Sequence, residues 1–411
     1  MGASSTDELL KSNSSQKERY SKHVHDNVHG NIYLDPVFWL CNSLTLKSFR
    51  GKLRDLKQLG LSHLVYPGAV HSRFEHSLGV YWLAGTAVQT LKDYQGLELD
   101  IDDIDIQTVK LAGLLHDVGH GPFSHMFERE FLPRVLSGSN WTHEDMSLKM
   151  IDYIVDQHYI DIDSGRLNRV KSAKEKQFLY DIVANGRNGI DVDKKTSFNT
   201  SFVHRLMETM RVMGDEICYR AKDYLTVYKL FSARADLHRT VYTHAKVKAI
   251  ELMLVDALLE ANEHLGISSS IQQPAEFWKL DDTIINAILA DPRPELKKAR
   301  DIILRVRRRQ LYQFCNEYSV PKAKQEHFKG ITAQDIVCSQ DYCSDVKFLI
   351  DKEERISHLL PTFCQDMIVR VYAKEPHLVE AVSDAFENFQ MKTYGEKTQV
   401  HSTPEKKKRR R

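Results

Sequence analysis

The sequence predicts a mainly α-helical protein with a small C-terminal α+β lobe. Up to about residue 317, apolar residues recur at helical spacing through long segments. Past Tyr318, a polar stretch (VPKAKQEHFKG) leads into short β-like runs and one last helical pattern. A chain of 411 residues can bury one large core or two to three smaller ones.

The composition is that of a soluble globular protein, with 42% hydrophobic and 27% charged residues. A net charge of +1 argues against a nucleic-acid footprint over the whole surface, so any basic partner surface must be local. The six cysteines include no CxxC pair, which is typical of a reducing compartment. No apolar run is long enough to span a membrane, and there is no signal-peptide core. We therefore expect an intracellular protein without a membrane span.

The elements of the first half follow from patterning and caps. Residues 21–36 indicate two strands joined at Asn-Val-His-Gly, and Val37–Leu59 has a helical pattern that Gly60 ends. His71–Leu91 reads as a long helix. We expect Asp105 to cap the helix that runs into the His116–Asp117 pair, and Thr142 to cap the helix after it.

The second half is predicted to be helical and then mixed. The expected helical segments are Arg205–Met213, Ile217–Leu230, Ala233–Leu265, Leu280–Leu289 and Pro294–Phe314. The β-like runs are Ile336–Cys338, Val346–Ile350 and Met367–Tyr372, followed by a helix over His377–Phe389. We thus predict a disordered tail over residues 1–20, a helical body over 21–317, the α+β lobe over 318–390 and a basic disordered tail over 391–411.

The stretch Leu111–Glu130 (LAGLLHDVGHGPFSHMFERE) concentrates the chemistry of the chain. His116 and Asp117 end an apolar helical run, and His120 and His125 follow among glycines and a proline. Crowding imidazole and carboxylate groups where a helix gives way to a turn lets several of them converge on one point. The alternative is a helix end that is His-rich by accident.

Four residues on different segments are candidate metal ligands: His76, His116, Asp117 and Asp193. Two imidazoles and two carboxylates suit one divalent transition ion, with positions left for water. Such an ion can polarise a phosphoryl oxygen and lower the pKa of bound water. A lone His76 is more often a core histidine, but Arg73 one turn earlier on the same face favours a site.

These residues carry a family resemblance. The order H…HD…D, with HSRFEHSLGV, LLHDVGHGPFSHMFE, WTHE and NGIDVDK, resembles the HD-domain phosphohydrolases. It is most similar to the SAM-and-HD-domain deoxynucleoside triphosphate triphosphohydrolases and their plant relatives. The similarity covers about residues 20–390 and rests on long, ordered motifs. From the length of the N-terminal tail we expect no counterpart of the sterile-alpha-motif domain of the animal proteins.

The resemblance implies an activity and its residues. A dNTP, dGTP included, would be hydrolysed at its α-phosphorus to deoxynucleoside and triphosphate. The four candidate ligands would hold zinc, iron, manganese or nickel, and Mg would accompany the nucleotide. His120, His125 and His143 would line the triphosphate, His125 as general acid, and Glu128 would orient a histidine. The other substrate contacts would be Gln58, Leu59, Arg73, Lys194, Arg234, His238 and Tyr242, with Gln58 and Leu59 excluding a 2′-hydroxyl.

The resemblance also implies regulation by GTP or dGTP as an activator and assembly into dimers or tetramers. The cations placed for an activator are Lys22, Arg205, Arg220, Lys222 and Arg309. Two segments depart from the family: residues 39–52 (WLCNSLTLKSFRGK) replace an I-D-T-x-x-F-Q-R helix, and residues 195–204 replace a W/F-D-Y-x-x-R-D helix that cradles the sugar. The second departure leaves the metal ligand intact but alters one wall of the pocket.

Both tails carry short signals. The basic run Lys406–Arg411 predicts nuclear import, with contact to single-stranded nucleic acid or acidic lipid as the weaker interpretation and cytoplasmic residence otherwise. MGASST fits an N-myristoylation pattern, against an unmodified tail. Besides dNTP hydrolysis, two other functions remain open. One is an HD phosphohydrolase for a different nucleotide, and the other is a catalytically weakened protein that binds nucleotides or single-stranded nucleic acid.

Overall fold

The computed structural model describes residues 22–26, 29–34, 46–157, 176–196, 200–320, 331, 335–336, 348–356 and 365–395. Within them the α-helices are α1 Leu46–Asp55, α2 Arg73–Leu99, α3 Asp103–Leu115, α4 Leu132–Val135, α5 His143–Gln157, α6 Gln177–Val183, α7 Val192–Lys195, α8 Thr200–Thr209, α9 Tyr224–Leu237, α10 Ala245–Leu265, α11 Pro274–Phe277, α12 Ile284–Ala290, α13 Lys297–Arg307 and α14 Val379–Tyr394. The strands are β1 Lys22–Asp26, β2 Gly30–Leu34, β3 Arg211–Met213, β4 Glu216–Cys218, β5 Gln313–Val320, β6 Phe348–Ile356 and β7 Gln365–Ala373.

Helices dominate the described residues, and the strands form small antiparallel sheets, so the predicted fold class is confirmed. No helix among these residues combines the length and apolarity needed to cross a membrane. The MGASST pattern, residues 39–45 and 197–199, and the run Lys406–Arg411 lie outside the described residues.

The chain forms two compact units, each with its own core. The first comprises the described residues up to Gly60, together with Val70–Tyr228 and Ser268–Ile284; the second comprises Leu61–Ala69, Lys229–Ile267 and the described residues from Ile285 onward. Buried aliphatic side chains of α2 and α6 fill the first core, and α14 packs on the sheet β5-β7-β6 in the second. The domain bounds predicted from the sequence stay a prediction.

The predicted N-terminal strand pair is confirmed. β1 and β2 pair antiparallel from Lys22↔Leu34 to Asp26↔Gly30. Asp26 Oδ2 accepts a hydrogen bond from His29 N at 2.7 Å, and Gly30 takes a φ of +73° that a side chain would disfavour. Asp26 and Gly30 thus stabilise the bend between the two strands, and Gly30 belongs to the predicted Asn-Val-His-Gly turn.

Helix α2 begins with a capping box, which fixes where its side chains lie. Ser72 Oγ accepts from Glu75 N, and Glu75 Oε2 accepts from Ser72 N at 2.5 Å. This start puts Arg73 in the first turn and His76 at the end of that turn, and both are buried. The predicted long helix is confirmed and continues to Leu99.

The expected cap of α3 was wrong by one turn. Asp102, in extended backbone, accepts from Asp105 N at 2.8 Å, and Asp105 Oδ2 accepts in return from Asp102 N. Asp105 is therefore the third residue of a capping box rather than the cap. The helix ends at Leu115, so His116 leads directly into the turn.

A helix expected over Arg205–Met213 was also wrong in its second half. Helix α8 ends at Thr209, and β3 and β4 form a hairpin whose turn includes Gly214 at a φ of +66°. Val212 and Ile217 point into the core, which is the period-two alternation of a strand pair. The helix expected from Ile217 accordingly begins only at Tyr224.

Two further helices were predicted too long. The segment Ala233–Leu265 is divided between α9, a π-helical turn at His238–Tyr242 and α10, with His244 Nδ1 accepting from Lys246 N at 3.2 Å as the cap of α10. The segment Pro294–Phe314 stops being helical at Arg307, and β5 begins at Gln313.

Candidate metal centre and histidine cluster

Three segments of the first unit carry the four predicted metal ligands. Helix α2 carries His76, and the end of α3 carries His116 and Asp117. Asp193 lies in the short helix α7, which Asp191 caps by accepting from Lys194 N at 3.0 Å. We call His76, His116, Asp117 and Asp193 the ligand cluster.

The structure brings the ligand cluster together. His76 Nε2 lies 2.9 Å from Asp193 Oδ1 and 3.5 Å from Asp117 Oδ2. His116 Nε2 lies 3.4 Å from Asp117 Oδ1 and 3.6 Å from Asp193 Oδ1. Both carboxylates therefore face both imidazoles.

The imidazole nitrogens of this cluster suit a metal ion. His116 Nδ1 donates to Gly113 O at 2.9 Å, so Nε2 is the nitrogen that faces the carboxylates and is available to an ion. The Nε2 atoms of His76 and His116 are both buried and have no partner with hydrogen-bond geometry. Two buried imidazole nitrogens that face two carboxylates are a donor set that fits a divalent transition ion.

The electrostatics of the ligand cluster favour a cation. Burial alone would lower the pKa of His116, but Asp117 and Asp193 outweigh it and raise that pKa to about 9. Burial would raise the pKa of Asp193, yet His116 and His76 hold it well below its usual range. The pKa of Asp117 is likewise held low, chiefly by Arg73, against its burial. Both carboxylates are thus kept ionised.

Arg73 is fixed beside the ligand cluster. Its Nη1 donates to Asp117 Oδ2 at 2.5 Å, and its Nε donates to Ser124 Oγ at 3.2 Å. The side chain is 2% exposed, so these bonds hold a guanidinium charge in the protein interior. Such a group suits a phosphate oxygen.

A second set of residues, which we call the histidine cluster, contains His120, His125, His143 and Glu128. The rings of His120 and His143 stack at 3.9 Å, and His125 meets their rings edge-on at 5.1 and 5.4 Å. Glu128 Oε2 lies 2.9 Å from His143 Nδ1 and 3.5 Å from His125 Nδ1. Glu128 lies in a π-helical turn, Phe127–Phe131, a feature common at functional sites.

Two imidazoles of the histidine cluster, those of His120 and His125, have a lowered pKa. Burial is the main cause for both, although the His125 side chain is still 48% exposed, and Arg73 adds to the shift at His120. Asp117, whose Oδ1 lies 3.2 Å from His120 Nε2, and Glu128 beside His125 oppose the shift without overcoming it. Glu128 itself has a pKa far below its usual range, because His125 and His143 outweigh its burial.

The loop Gly119–His125 joins the two clusters and is tightly packed. Gly119 N donates to Ser147 Oγ at 2.9 Å, and a Cβ at Gly119 would lie 2.2 Å from His143 O. Phe123 and Ser124 have φ values of +59° and +62°. Two adjacent non-glycine residues in the left-handed region are strained, so contacts with surrounding residues must stabilise this conformation.

Asp282 provides part of that support. Its Oδ1 accepts from Phe123 N at 2.6 Å, and its Oδ2 accepts from Lys57 N at 2.8 Å. Burial raises the pKa of Asp282 to about 7, although both backbone N–H groups oppose the rise. One carboxyl group thus connects the Gly119–His125 loop with the segment that holds Gln58 and Leu59.

Gln58 and Leu59 therefore lie next to the loop of the histidine cluster. Ser124 Oγ donates to Lys57 O at 2.8 Å, and Gln58 N donates to His71 O at 3.1 Å. A Cβ at Gly60 would lie 2.8 Å from Phe123 O, so the two backbones approach closely. Their part in selecting the sugar stays a prediction.

The remaining predicted substrate residues divide between the units. Lys194 lies in α7 and forms an ion pair with Asp191 through its Nζ. Arg234, His238 and Tyr242 belong to the second unit, where the His238 and Tyr242 rings meet edge-on at 6.1 Å. Their contribution to a substrate site stays a prediction.

The predicted activator cations are also spread over the chain. Arg205 Nη2 pairs with Asp223 at 3.0 Å, next to the exposed Arg220 and Lys222. Arg309 belongs to the second unit, and the side chain of Lys22 lies outside the described part of the structure. Nucleotide activation therefore stays a prediction.

Sequence reasoning missed four residues that support the clusters: Ser124, Ser147, Thr196 and Asp282. Ser124 and Ser147 lie within or near recognised motifs, so helical spacing from His143 could have suggested Ser147. Asp282 shows only as the second acid of an Asp-Asp pair before a helix, which ordinarily indicates a cap. Its hydrogen bonds reach residues far away in the sequence, which no local pattern reveals.

Two family models match the chain. Residues 73–177 match the HD domain, and residues 203–339 match the HD associated region. The first match spans three of the four ligand-cluster residues and the whole histidine cluster.

Curated relatives match most of the chain. The deoxynucleoside triphosphate triphosphohydrolase SAMHD1 homolog of Dictyostelium discoideum is 36% identical, over 89% of this chain and 80% of its own length. The deoxynucleoside triphosphate triphosphohydrolases SAMHD1 of Gallus gallus and Homo sapiens are 33% and 32% identical, over 89% and 86% of this chain and 74% and 70% of their own lengths.

Proposed function

The chain belongs to the SAMHD1 family of deoxynucleoside triphosphate triphosphohydrolases, and we propose on that premise that it hydrolyses dNTPs, dGTP among them. Water would attack the α-phosphorus, the bond from that phosphorus to O5′ would break, and the products would be deoxynucleoside and inorganic triphosphate. The observation that carries the proposal is the adjacency of the two clusters, with Arg73 and His120 both contacting Asp117.

We assign the ligand cluster to one divalent transition ion and Mg to the nucleotide. When bound, the ion supplies positive charge at the α-phosphate and at the attacking water. Asp117 stays ionised for this role because the guanidinium of Arg73 lowers its pKa against the effect of burial. Whether the native ion is zinc, iron, manganese or nickel is open to direct metal analysis.

The histidine cluster and Arg73 would handle the triphosphate and the proton. Arg73 places a permanent charge where a phosphate can approach, and His120 and His143 add donors beside it. His125 is half-exposed and contacts Glu128, so it can take a proton from solvent and donate it to the departing O5′. A bound polyanion would raise the pKa of His125, opposing the effect of burial on the free protein.

We assign Gln58 and Leu59 to exclusion of ribonucleotides, and Lys194, Arg234, His238 and Tyr242 to the phosphate, sugar or base. As further proposals, GTP or dGTP would bind at Lys22, Arg205, Arg220, Lys222 and Arg309 and promote a dimer or tetramer. The basic tail Lys406–Arg411 would direct nuclear import or contact single-stranded nucleic acid.

The test is direct. Purified protein is incubated with each dNTP and with GTP, in the presence of Mg and of manganese, iron, zinc or nickel in turn, and inorganic triphosphate is separated from pyrophosphate and phosphate. We expect triphosphate from dNTPs and none from GTP.

Because the segment after Asp193 departs from the family pattern, two other results of the same assay are informative. Helix α7 ends at Lys195, whose buried Nζ contacts Tyr219 Oη at 3.0 Å rather than continuing a long sugar-binding helix. A protein that binds metal and dGTP but releases no triphosphate would be the weakened binding protein. Turnover of a different phosphorylated nucleotide would indicate another HD phosphohydrolase activity.

A further inference from the structure

We propose that Thr196 is a positioning residue of the metal centre, holding His76 in the tautomer that presents Nε2 to the ion. The inference rests on the proposed function only in taking His76 and Asp193 as metal ligands. Thr196 follows α7 directly, three residues after Asp193, in the segment that departs from the family pattern.

The hydrogen-bond pattern of the Thr196 hydroxyl fixes the tautomer. Its Oγ1 donates to Asp193 O at 2.8 Å and lies 3.0 Å from His76 Nδ1. A hydroxyl has one proton, and a carbonyl oxygen can only accept, so that proton is directed to Asp193 O. The contact with His76 then runs from Nδ1–H to Oγ1, which leaves Nε2, 2.9 Å from Asp193 Oδ1, as the nitrogen available to the ion.

The second histidine of the ligand cluster shows the same arrangement with a different partner. His116 donates its Nδ1–H to a backbone carbonyl, Gly113 O, at 2.9 Å. Both histidines thus have an outer acceptor on Nδ1 and a buried Nε2 that faces the carboxylates of the ligand cluster. The partner of His116 is a backbone carbonyl, which no substitution removes. The partner of His76 is a side-chain hydroxyl, which a substitution can remove.

The shape of Thr196 also matters, because its methyl group has a fixed place. A Cβ at Gly79, on α2 three residues after His76, would lie 3.5 Å from Thr196 Cγ2. The methyl group therefore lies against α2 and the hydroxyl faces the imidazole. One short side chain joins two ligands that come from helices far apart in the sequence.

Outer partners of this kind orient a ligating imidazole and raise its basicity, and their loss commonly costs about 10–100-fold in metal affinity. Valine keeps the shape of threonine and removes the hydroxyl. Serine keeps the hydroxyl and removes the methyl. The pair Thr196→Val and Thr196→Ser therefore separates hydrogen bonding from packing.

The experiment measures metal binding by the full chain without substrate. Metal-stripped wild type, Thr196→Val and Thr196→Ser are titrated with Co²⁺, and the dissociation constant is read from the d–d absorption. We expect Thr196→Val to weaken Co²⁺ binding by about tenfold or more, and Thr196→Ser to stay within about threefold of wild type.

Thr90→Val is the matched control. Thr90 Oγ1 donates to Thr86 O at 2.8 Å within α2, so this change also removes a partly buried threonine hydroxyl from a carbonyl but leaves the ligands alone. Its Co²⁺ affinity should equal that of wild type. Thermal unfolding of all the metal-free proteins identifies any variant that fails to fold. If Thr196→Val does not fold, Thr196→Ala takes its place in the comparison with Thr196→Ser.

Wild-type affinity in a folded Thr196→Val protein would overturn the inference. Equal weakening in Thr196→Val and Thr196→Ser would also overturn it, because packing rather than the hydroxyl would then be responsible. These results are independent of turnover. A chain that releases no triphosphate can still show the Thr196 effect on Co²⁺, and an active chain can lack it.

Discussion

The ligand cluster and the histidine cluster use the same side chain in opposite ways. In the ligand cluster, imidazoles give Nδ1 to an outer acceptor and turn Nε2 towards two carboxylates. In the histidine cluster, the rings contact one another and share one carboxylate, Glu128. The first arrangement suits a cation, and the second suits histidines that face an anion.

The pKa shifts of the histidines follow this difference. Two carboxylates raise the pKa of His116 despite its burial, whereas burial prevails at His120 and His125. Residue type alone thus does not decide the charge. At His116, His120 and His125 the balance between burial and the neighbouring carboxylates sets the direction of the shift.

Removing a nitrogen from each cluster gives the strongest test of the difference. We expect His116→Ala to lower bound metal from about one ion per chain to almost none, since a site of four protein ligands loses one and its orientation. Elemental analysis of the purified protein measures this. Metal at wild-type stoichiometry in the variant would contradict the assignment of the ligand cluster.

The matching change in the histidine cluster is His125→Ala. We expect its metal content to equal that of wild type and its kcat to fall on the order of 10²–10⁴-fold, as for loss of a general acid. Steady-state triphosphate release and elemental analysis of the same preparation are the measurements. If this variant loses its metal, the two clusters do not have separate roles.

The tight packing of the Gly119–His125 loop, which joins the two clusters, can be tested by adding a methyl group. At Gly119 a Cβ would lie 2.2 Å from His143 O and 2.3 Å from Ser147 N, both backbone atoms that cannot move independently. We expect Gly119→Ala to lower the free energy of unfolding by about 3 kcal/mol or more and to disturb both clusters.

The control for Gly119→Ala is Gly186→Ala, because a Cβ at Gly186 meets no atom within 4 Å. Denaturant unfolding of both variants makes the comparison. Equal stability of the two variants would show that the close approach of the loop to α5 does not constrain it.

The smallest expected effect concerns Asp282 and has a definite sign. Its folded-state pKa of about 7 exceeds the ordinary value of 3.8, so the folded chain keeps a proton that the unfolded chain releases between these values. The contribution of Asp282 to stability is therefore largest at acid pH and falls as pH rises to 7, by at most about 1.4 kcal/mol per pH unit.

Asp282→Asn cannot titrate, so the free energy of unfolding of wild type relative to this variant should fall as pH rises from 5 to 7. Asp152→Asn is the control, since Asp152 is exposed on α5 and does not contribute to the pKa shift of Asp282. Chemical unfolding at each pH provides the curves. A flat difference for Asp282→Asn would mean that its carboxyl group is already ionised at pH 5.

Local signals in the sequence predicted the segments that carry the chemistry. The helical pattern of His71–Leu91, the apolar run before His116 and the Thr142 start of α5 all depend on neighbours within a few residues, and these segments are helical where expected. The β3–β4 hairpin was missed because three-residue strands barely show their alternation, and Asp102 was missed because two acids one turn apart can both cap.

The supporting contacts were beyond sequence reasoning for a different reason. Asp282 reaches Phe123, and Thr196 reaches His76, across more than 100 residues of chain. Residue patterns have no information at that range. The roles assigned to Arg234, His238 and Tyr242 and to the activator cations rest on the family resemblance and await binding measurements.

The separation of His76 and Asp193 in the chain has a thermodynamic consequence. A bound ion would join α2, the end of α3 and α7, and only the folded chain brings these segments together. A ligand that binds only the native state adds about 1.4 kcal/mol of stability for each tenfold excess over its dissociation constant. The supply of metal would then set the lifetime and abundance of this protein as well as its rate of turnover.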